Sequence, residues 1–130
     1  MSYHAGGSGA IKVKGVSAQA VKEMLSAYLE KYSSTVTMEI EEDGENGVTI
    51  EYTRDNDDWD EDETFELFEI LKPFTTEGLL YFEANDEDPW RYRFDSKTGE
   101  WAEDGGMLVY RLNDPENEDI QKELTRRGLL

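Results

Sequence analysis

Between Ser17 and Tyr32 the apolar residues fall on a single stripe: Val21, Met24, Leu25, Tyr28, Leu29 and Tyr32. That spacing predicts an amphipathic helix over 17–32. Ser17 suits the N-cap, and Val16 with Val21 suits a hydrophobic staple. Upstream, Ile11 and Val13 alternate with lysines, so 10–15 reads as a short strand. The preceding MSYHAGGSG is rich in glycine and serine and reads as a flexible leader over 1–9.

Past the helix the period drops to two. Val36, Met38 and Ile40 alternate with Thr37, Glu39 and Glu41, and Val48, Ile50 and Tyr52 alternate with Thr49, Glu51 and Thr53. The intervening DGEN is turn chemistry, so the two strands form a hairpin. Matching the apolar faces suggests Val36 opposite Tyr52, Met38 opposite Ile50 and Ile40 opposite Val48. This register leaves Asp43-Gly44-Glu45 as a three-residue loop. A slip by one residue would bury Glu39 and Glu41. Glu39, Glu41 and Glu51 therefore share the face opposite the core.

Asp60 is placed to cap a second helix, with Glu63 in the reciprocal capping-box position. Phe65, Leu67, Phe68, Leu71 and Phe74 supply its apolar face, while Glu63, Glu66 and Glu69 lean away. Pro73 disfavours helical geometry at Lys72 and ends the helix near there. From Gly78 to Leu112 the chain reads as a strand meander. Leu80, Phe82 and Ala84 alternate, then Trp90, Tyr92 and Phe94, and Phe94 faces Trp101 across a hairpin. Met107–Leu112 forms the last strand. Asp114-Pro115 opens a peripheral helix or tail over 113–130, acidic early and basic late. The expected order is β-α-β-β-α-β-β-β-β with that terminal helix. Runs of adjacent strands imply a two-layer α+β fold with a mostly antiparallel sheet, and 10–112 form one domain.

Charge then changes the picture. The formal net charge is −18, and nine of the fifteen side chains from Asp55 to Glu69 (DNDDWDEDETFELFE) are carboxylates. Charge runs without aromatics signal disorder, but this one carries Trp59, Phe65, Leu67 and Phe68, so the acids sit on a folded surface. Helix capping accounts for about two or three acids near Asp60. The surplus, with the cluster from Glu39 to Glu45, repels itself and lowers stability. Such a charge disfavours nucleic acid and anionic membrane as direct partners and favours a basic protein. There is no cysteine, so disulfides, thiolate zinc and cysteine nucleophiles are excluded. No apolar run approaches a membrane span and no signal layout opens the chain, so it reads as soluble and cytoplasmic.

Catalytic chemistry has little to stand on. His4, the only histidine, lies in the leader. GGSGAIK lacks the spacing of a phosphate loop. Asp58, Asp60, Asp62 and Glu69 occupy positions 1, 3, 5 and 12 of a calcium loop, but Glu63 stands where glycine must make the turn, and a strand leads in where a helix should. Among 31 acids, glycosidase-like carboxylate pairs arise by chance. Arg91, Arg93 and Arg111 can share one sheet face, where Glu83 and Glu100 on neighbouring strands are expected to pair with them. The expectation is a protein with no catalytic residues, metal or cofactor.

The 55–69 run, EIEEDGE at 39–45, small size, and the lack of cysteine and of catalytic residues carry a resemblance of charge style. In these respects the chain resembles small acidic inhibitors made by phages and mobile elements: anti-CRISPR and anti-restriction proteins, DNA mimics among them. The resemblance implies a mechanism in which carboxylates on a rigid scaffold stand in for phosphates in a basic nucleic-acid channel, within a host cytosol. It transfers no binding residues. In this chain the contact would be made by Asp55, Asp57, Asp58, Asp60, Glu61, Asp62, Glu66 and Glu69. Glu39, Glu41 and Glu51 would reinforce them from the hairpin. Trp59 reads either as a partly buried anchor for the helix start, the commoner case, or as an exposed aromatic anchor for the partner. Two other readings fit the same pattern: an immunity or antitoxin-type protein neutralising a basic toxin, and a small intracellular α+β module whose charge serves solubility.

Overall fold

A computed structural model describes residues 3–84 and 87–105. The elements are β1 (Tyr3–Lys14), α1 (Ala18–Lys31), β2 (Val36–Glu42), β3 (Gly47–Trp59), α2 (Glu61–Leu71), β4 (Thr75–Ala84), β5 (Glu87–Asp95) and β6 (Glu100–Asp104). Among the described residues, six strands join one antiparallel sheet in the order β2-β3-β1-β4-β5-β6. The fold is α+β, as the sequence pattern indicates. The expected last strand (Met107–Leu112), Arg111 and the 113–130 segment lie outside the described residues.

Both helices lie on one sheet face. Val21, Leu25 and Tyr28 of α1 and Leu67, Phe68 and Leu71 of α2 are buried against Ile11, Val13, Ile50, Tyr52, Leu80, Phe82 and Tyr92. Burying each such side chain is worth roughly 1.5–3 kcal/mol, so this layer supplies most of the driving force. Ser17 caps α1, its Oγ accepting the Ala20 N–H at 3.1 Å. Trp101 stacks on Phe68 at 3.9 Å between ring centres and meets Phe94 edge-on at 5.6 Å, closing the end of the core at β6.

Two expectations need correction. The glycine-rich stretch expected to be a flexible leader is, from Tyr3 onward, the first part of β1, paired with β3 on one side and β4 on the other. Its composition reflects packing rather than mobility. A Cβ at Gly9 would stand 2.0 Å from the Leu79 carbonyl oxygen, so no side chain fits between the strands there. With β1 available as a partner, β3 runs on through Asp58 to Trp59 instead of stopping near Thr53, and His4 pairs with Asp58.

The second correction is the β2–β3 register. Val36 opposes Arg54, Met38 opposes Tyr52 and Ile40 opposes Ile50, a shift of two residues from the expected pairing. The reversal is made by Gly44-Glu45-Asn46, closed by the Asp43 N–H donating to the Gly47 carbonyl at 2.9 Å. Gly44 (φ 72°) and Asn46 (φ 59°) are both left-handed, a conformation these residue types tolerate at least cost. A shift of two keeps every side chain on its face. Glu39, Glu41 and Glu51 remain opposite the core, but Glu39 now sits directly across from Glu51.

Candidate acidic binding surface

The acidic run is organised by a residue that sequence reasoning passed over. Arg54 continues the inward alternation of β3 after Tyr52, and its side chain is 1% exposed. Its Nε and Nη2 donate to the two oxygens of Glu63 at 3.0 and 3.1 Å. Nη1 donates to the carbonyls of Asp55 (3.1 Å), Asp57 (3.0 Å) and Ala5, and Nη2 also donates to the Asp58 carbonyl. A bidentate guanidinium–carboxylate pair is among the stronger hydrogen-bonded arrangements. Here the same cation also gathers the main-chain oxygens of the acidic segment, so the carbonyls turn inward. The side chains of Asp55, Asp57 and Asp58 are exposed.

Glu63 was expected to complete a capping box and face solvent. It is 6% exposed and bound to Arg54 instead. It shares the inward stripe of Leu67 and Leu71, at helical spacing, which is the signal that could have placed it. Asp60 caps α2 by accepting the Asp62 N–H at 2.9 Å. Tyr28 ties α1 into the network, its Oη donating to the Glu63 carbonyl at 3.0 Å. Burial, with nearby Tyr52 and Glu63 adding to it, pushes the Tyr28 phenol far above its ordinary range. Tyr52 is raised for the same first reason and by Glu63, with Arg54 opposing.

Trp59 is 3% exposed, so the reading as a buried anchor for the helix start holds and the reading as an exposed anchor for a partner does not. Its Nε1 donates to Thr64 Oγ1 at 3.0 Å, and its ring lies 5.5 Å from Phe82 and 5.4 Å from Trp90. It anchors the start of α2 to the core and presents nothing to a partner. Asp60, Glu61, Asp62 and Glu69 are exposed. Glu66 is half-exposed and already engaged by Tyr32 Oη at 2.9 Å and Lys31 Nζ at 3.3 Å.

The fold divides the expected contact residues into two groups. Asp55, Asp57, Asp58, Asp60, Glu61, Asp62, Glu66 and Glu69 follow the end of β3 into α2. Glu39, Glu41 and Glu51 project from the hairpin on the face of the sheet without helices. That face also carries an open groove of about 920 Å³, floored by Ser8, Gly9 and Ala10 and flanked by Glu51, Lys12, Leu79, Tyr81 and Arg93. Among the described residues, Arg91 and Arg93 meet Asp104 rather than the expected Glu83 and Glu100. Asp104 takes both, at 2.9 Å from Arg91 and 3.4 Å from Arg93, because β6 places it opposite Arg91. Glu100 instead meets Lys72 at 3.2 Å.

No calcium loop forms. Asp58 is in β3, Asp60 caps α2 and Asp62 lies in its first turn, so strand passes to helix without a coordinating loop. Among the described residues one group could hold a cation: His4, Asp57 and Asp58, whose ligand atoms lie within 4.8 Å of one another. All three are exposed, and His4 Nε2 already lies 3.0 Å from Asp58 Oδ1. Among the described residues no helix is long and apolar enough to cross a membrane. Comparison of the chain with protein-family models, curated proteins and solved structures finds no match.

Proposed function

We propose that this chain is a non-enzymatic acidic binding protein that inhibits a basic, nucleic-acid-handling partner, in the manner of anti-CRISPR or anti-restriction proteins. One observation carries the reading. Arg54 holds the backbone of the acidic segment from below, at the carbonyls of Asp55, Asp57 and Asp58, so their carboxylates stand outward on a fixed ridge. A backbone held in place limits how far the carboxylates can spread when they meet a cationic surface, so less ordering entropy is lost on binding. They can therefore occupy a channel built for phosphates.

The test is capture of the partner from host lysate at low and high salt, with and without competing DNA or RNA. Replacing Asp55, Asp57, Asp58 and Glu61 with their amides removes charge but leaves the Asp60 cap and the Arg54 clamp intact. The reading expects capture that fades with salt, yields to nucleic acid and is lost in the amide variant. Undiminished capture by that variant refutes it. A second reading, charge as a solubilising coat, is favoured by the spread of carboxylates over both faces of the sheet. It expects partner binding to be indifferent to salt.

A further inference from the structure

Phe65 is the exception to the burial pattern. Among the described residues it is the one large apolar side chain that is exposed, at 41%. The ring is nonetheless fixed, edge-on to Tyr92 at 6.0 Å and 6.4 Å from Phe68. Glu61 lies one turn before it and Glu69 one turn after, on the same stripe of α2, with Asp62 beside them. All three carboxylates are exposed, and among the described residues none has an ion-pair partner. Glu103 of β6 adds to the group, its carboxyl raised by partial burial and then by Glu61. An aromatic ring left in water costs hydration free energy and does nothing for solubility. Phosphate mimicry gives it no role either.

The geometry points to the exposed flank of α2 beside β5 and β6 as a docking surface for a basic amphipathic protein segment, with an apolar side chain seated on Phe65 and Lys or Arg over Glu61, Asp62 and Glu69. This rests on the acidic-binder reading and narrows the contact from any cationic channel to a segment that is apolar at its centre and cationic at its rim. Charge complementarity selects the occupant. A second copy of the chain would set the same carboxylates against each other across a two-fold axis. A ring within a charged rim is also the usual layout of an energetic centre in protein interfaces.

The experiment uses the full chain and two labelled synthetic peptides of equal length and lysine content. One carries a leucine stripe at helical spacing, and the other has serine at those positions. Fluorescence anisotropy should show the leucine peptide binding roughly tenfold more tightly. Phe65→Ser should erase that advantage and Phe65→Leu should keep most of it. Replacing Glu61, Asp62 and Glu69 with amides should weaken both peptides. Melting curves establish that the variants fold. The inference is overturned if Phe65→Ser keeps the full advantage of the leucine peptide. It is also overturned if sedimentation shows dimers that Phe65→Ser dissolves, which would give the face to a second copy. If both peptides bind equally and answer only to the carboxylates, the acidic-binder reading survives and this inference falls. If neither binds at low salt, both fall.

Discussion

The ridge at 55–63 and the patch at Glu39, Glu41 and Glu51 look alike in sequence: dense in acid and laid on strands. They differ in what lies beneath. Under the ridge, a buried guanidinium meets Glu63 and four main-chain carbonyls. On the patch, Glu39 faces Glu51 across the hairpin, and among the described residues neither has an ion-pair partner. Charge on the ridge is therefore built into the fold, whereas charge on the patch is carried at a cost to it. Acid density alone does not distinguish the two; the position of the nearest cation does.

The sharpest way to break the contrast is to remove that cation. Arg54→Ala leaves Glu63 charged, buried and unpaired, and should cost about 3–5 kcal/mol in urea unfolding. A buried ion pair can often be replaced as a whole by apolar residues with little loss. Here Arg54→Met with Glu63→Leu should remain clearly destabilised, because the carbonyls of Ala5, Asp55, Asp57 and Asp58 also lose their donor. A double variant as stable as the parent would reduce the clamp to a simple ion pair.

Smaller effects sharpen the comparison. Asp60→Ala removes the α2 cap and should cost about 1 kcal/mol by thermal or urea unfolding. On the patch the sign reverses. Glu51→Lys replaces a like-charge pair with an opposite-charge pair across the ladder and should stabilise by about 0.2–1 kcal/mol. A loss of stability there would mean that Glu39 and Glu51 do not repel. The smallest effect belongs to Glu103. Its carboxyl is raised by burial and by Glu61, so the folded state disfavours its charged form. Glu103→Gln should raise the melting temperature at neutral pH. That gain should vanish at about pH 3.5, below the ordinary glutamate value near ~4.3, where Glu103 is protonated in both states. A gain that persists in acid would assign the effect to packing.

The sequence revealed what depends on period and missed what depends on neighbours. The α1 stripe, the alternation in β2 and β3, the Asp60 cap and the Phe94–Trp101 contact are local or nearly local patterns, and the structure carries all of them. The hairpin register failed because parity allows any even shift, and the choice among shifts lay with Asn46, whose left-handed backbone ends the loop one residue later than expected. The Gly/Ser stretch was misread because composition cannot tell a chain that moves from one squeezed between two strands. Arg54 and Glu63 were partly legible as charged residues on inward stripes. Trp59 was legible as an anchor for the helix start, but nothing local separates a buried tryptophan from an exposed one amid aspartates, so both readings stood until its burial decided between them.

The central place of β1 has a consequence for how the molecule comes together. Ala5 must find both Asp57 and Ala84 before the middle of the sheet exists. Each of those encounters closes a long loop before any ladder can reward it, so chain entropy opposes the early steps. Folding should be slow for a domain of this size, dominated by distant pairings rather than by the helices. Until β1 docks, β3 and β4 present open edges to any other strand they meet.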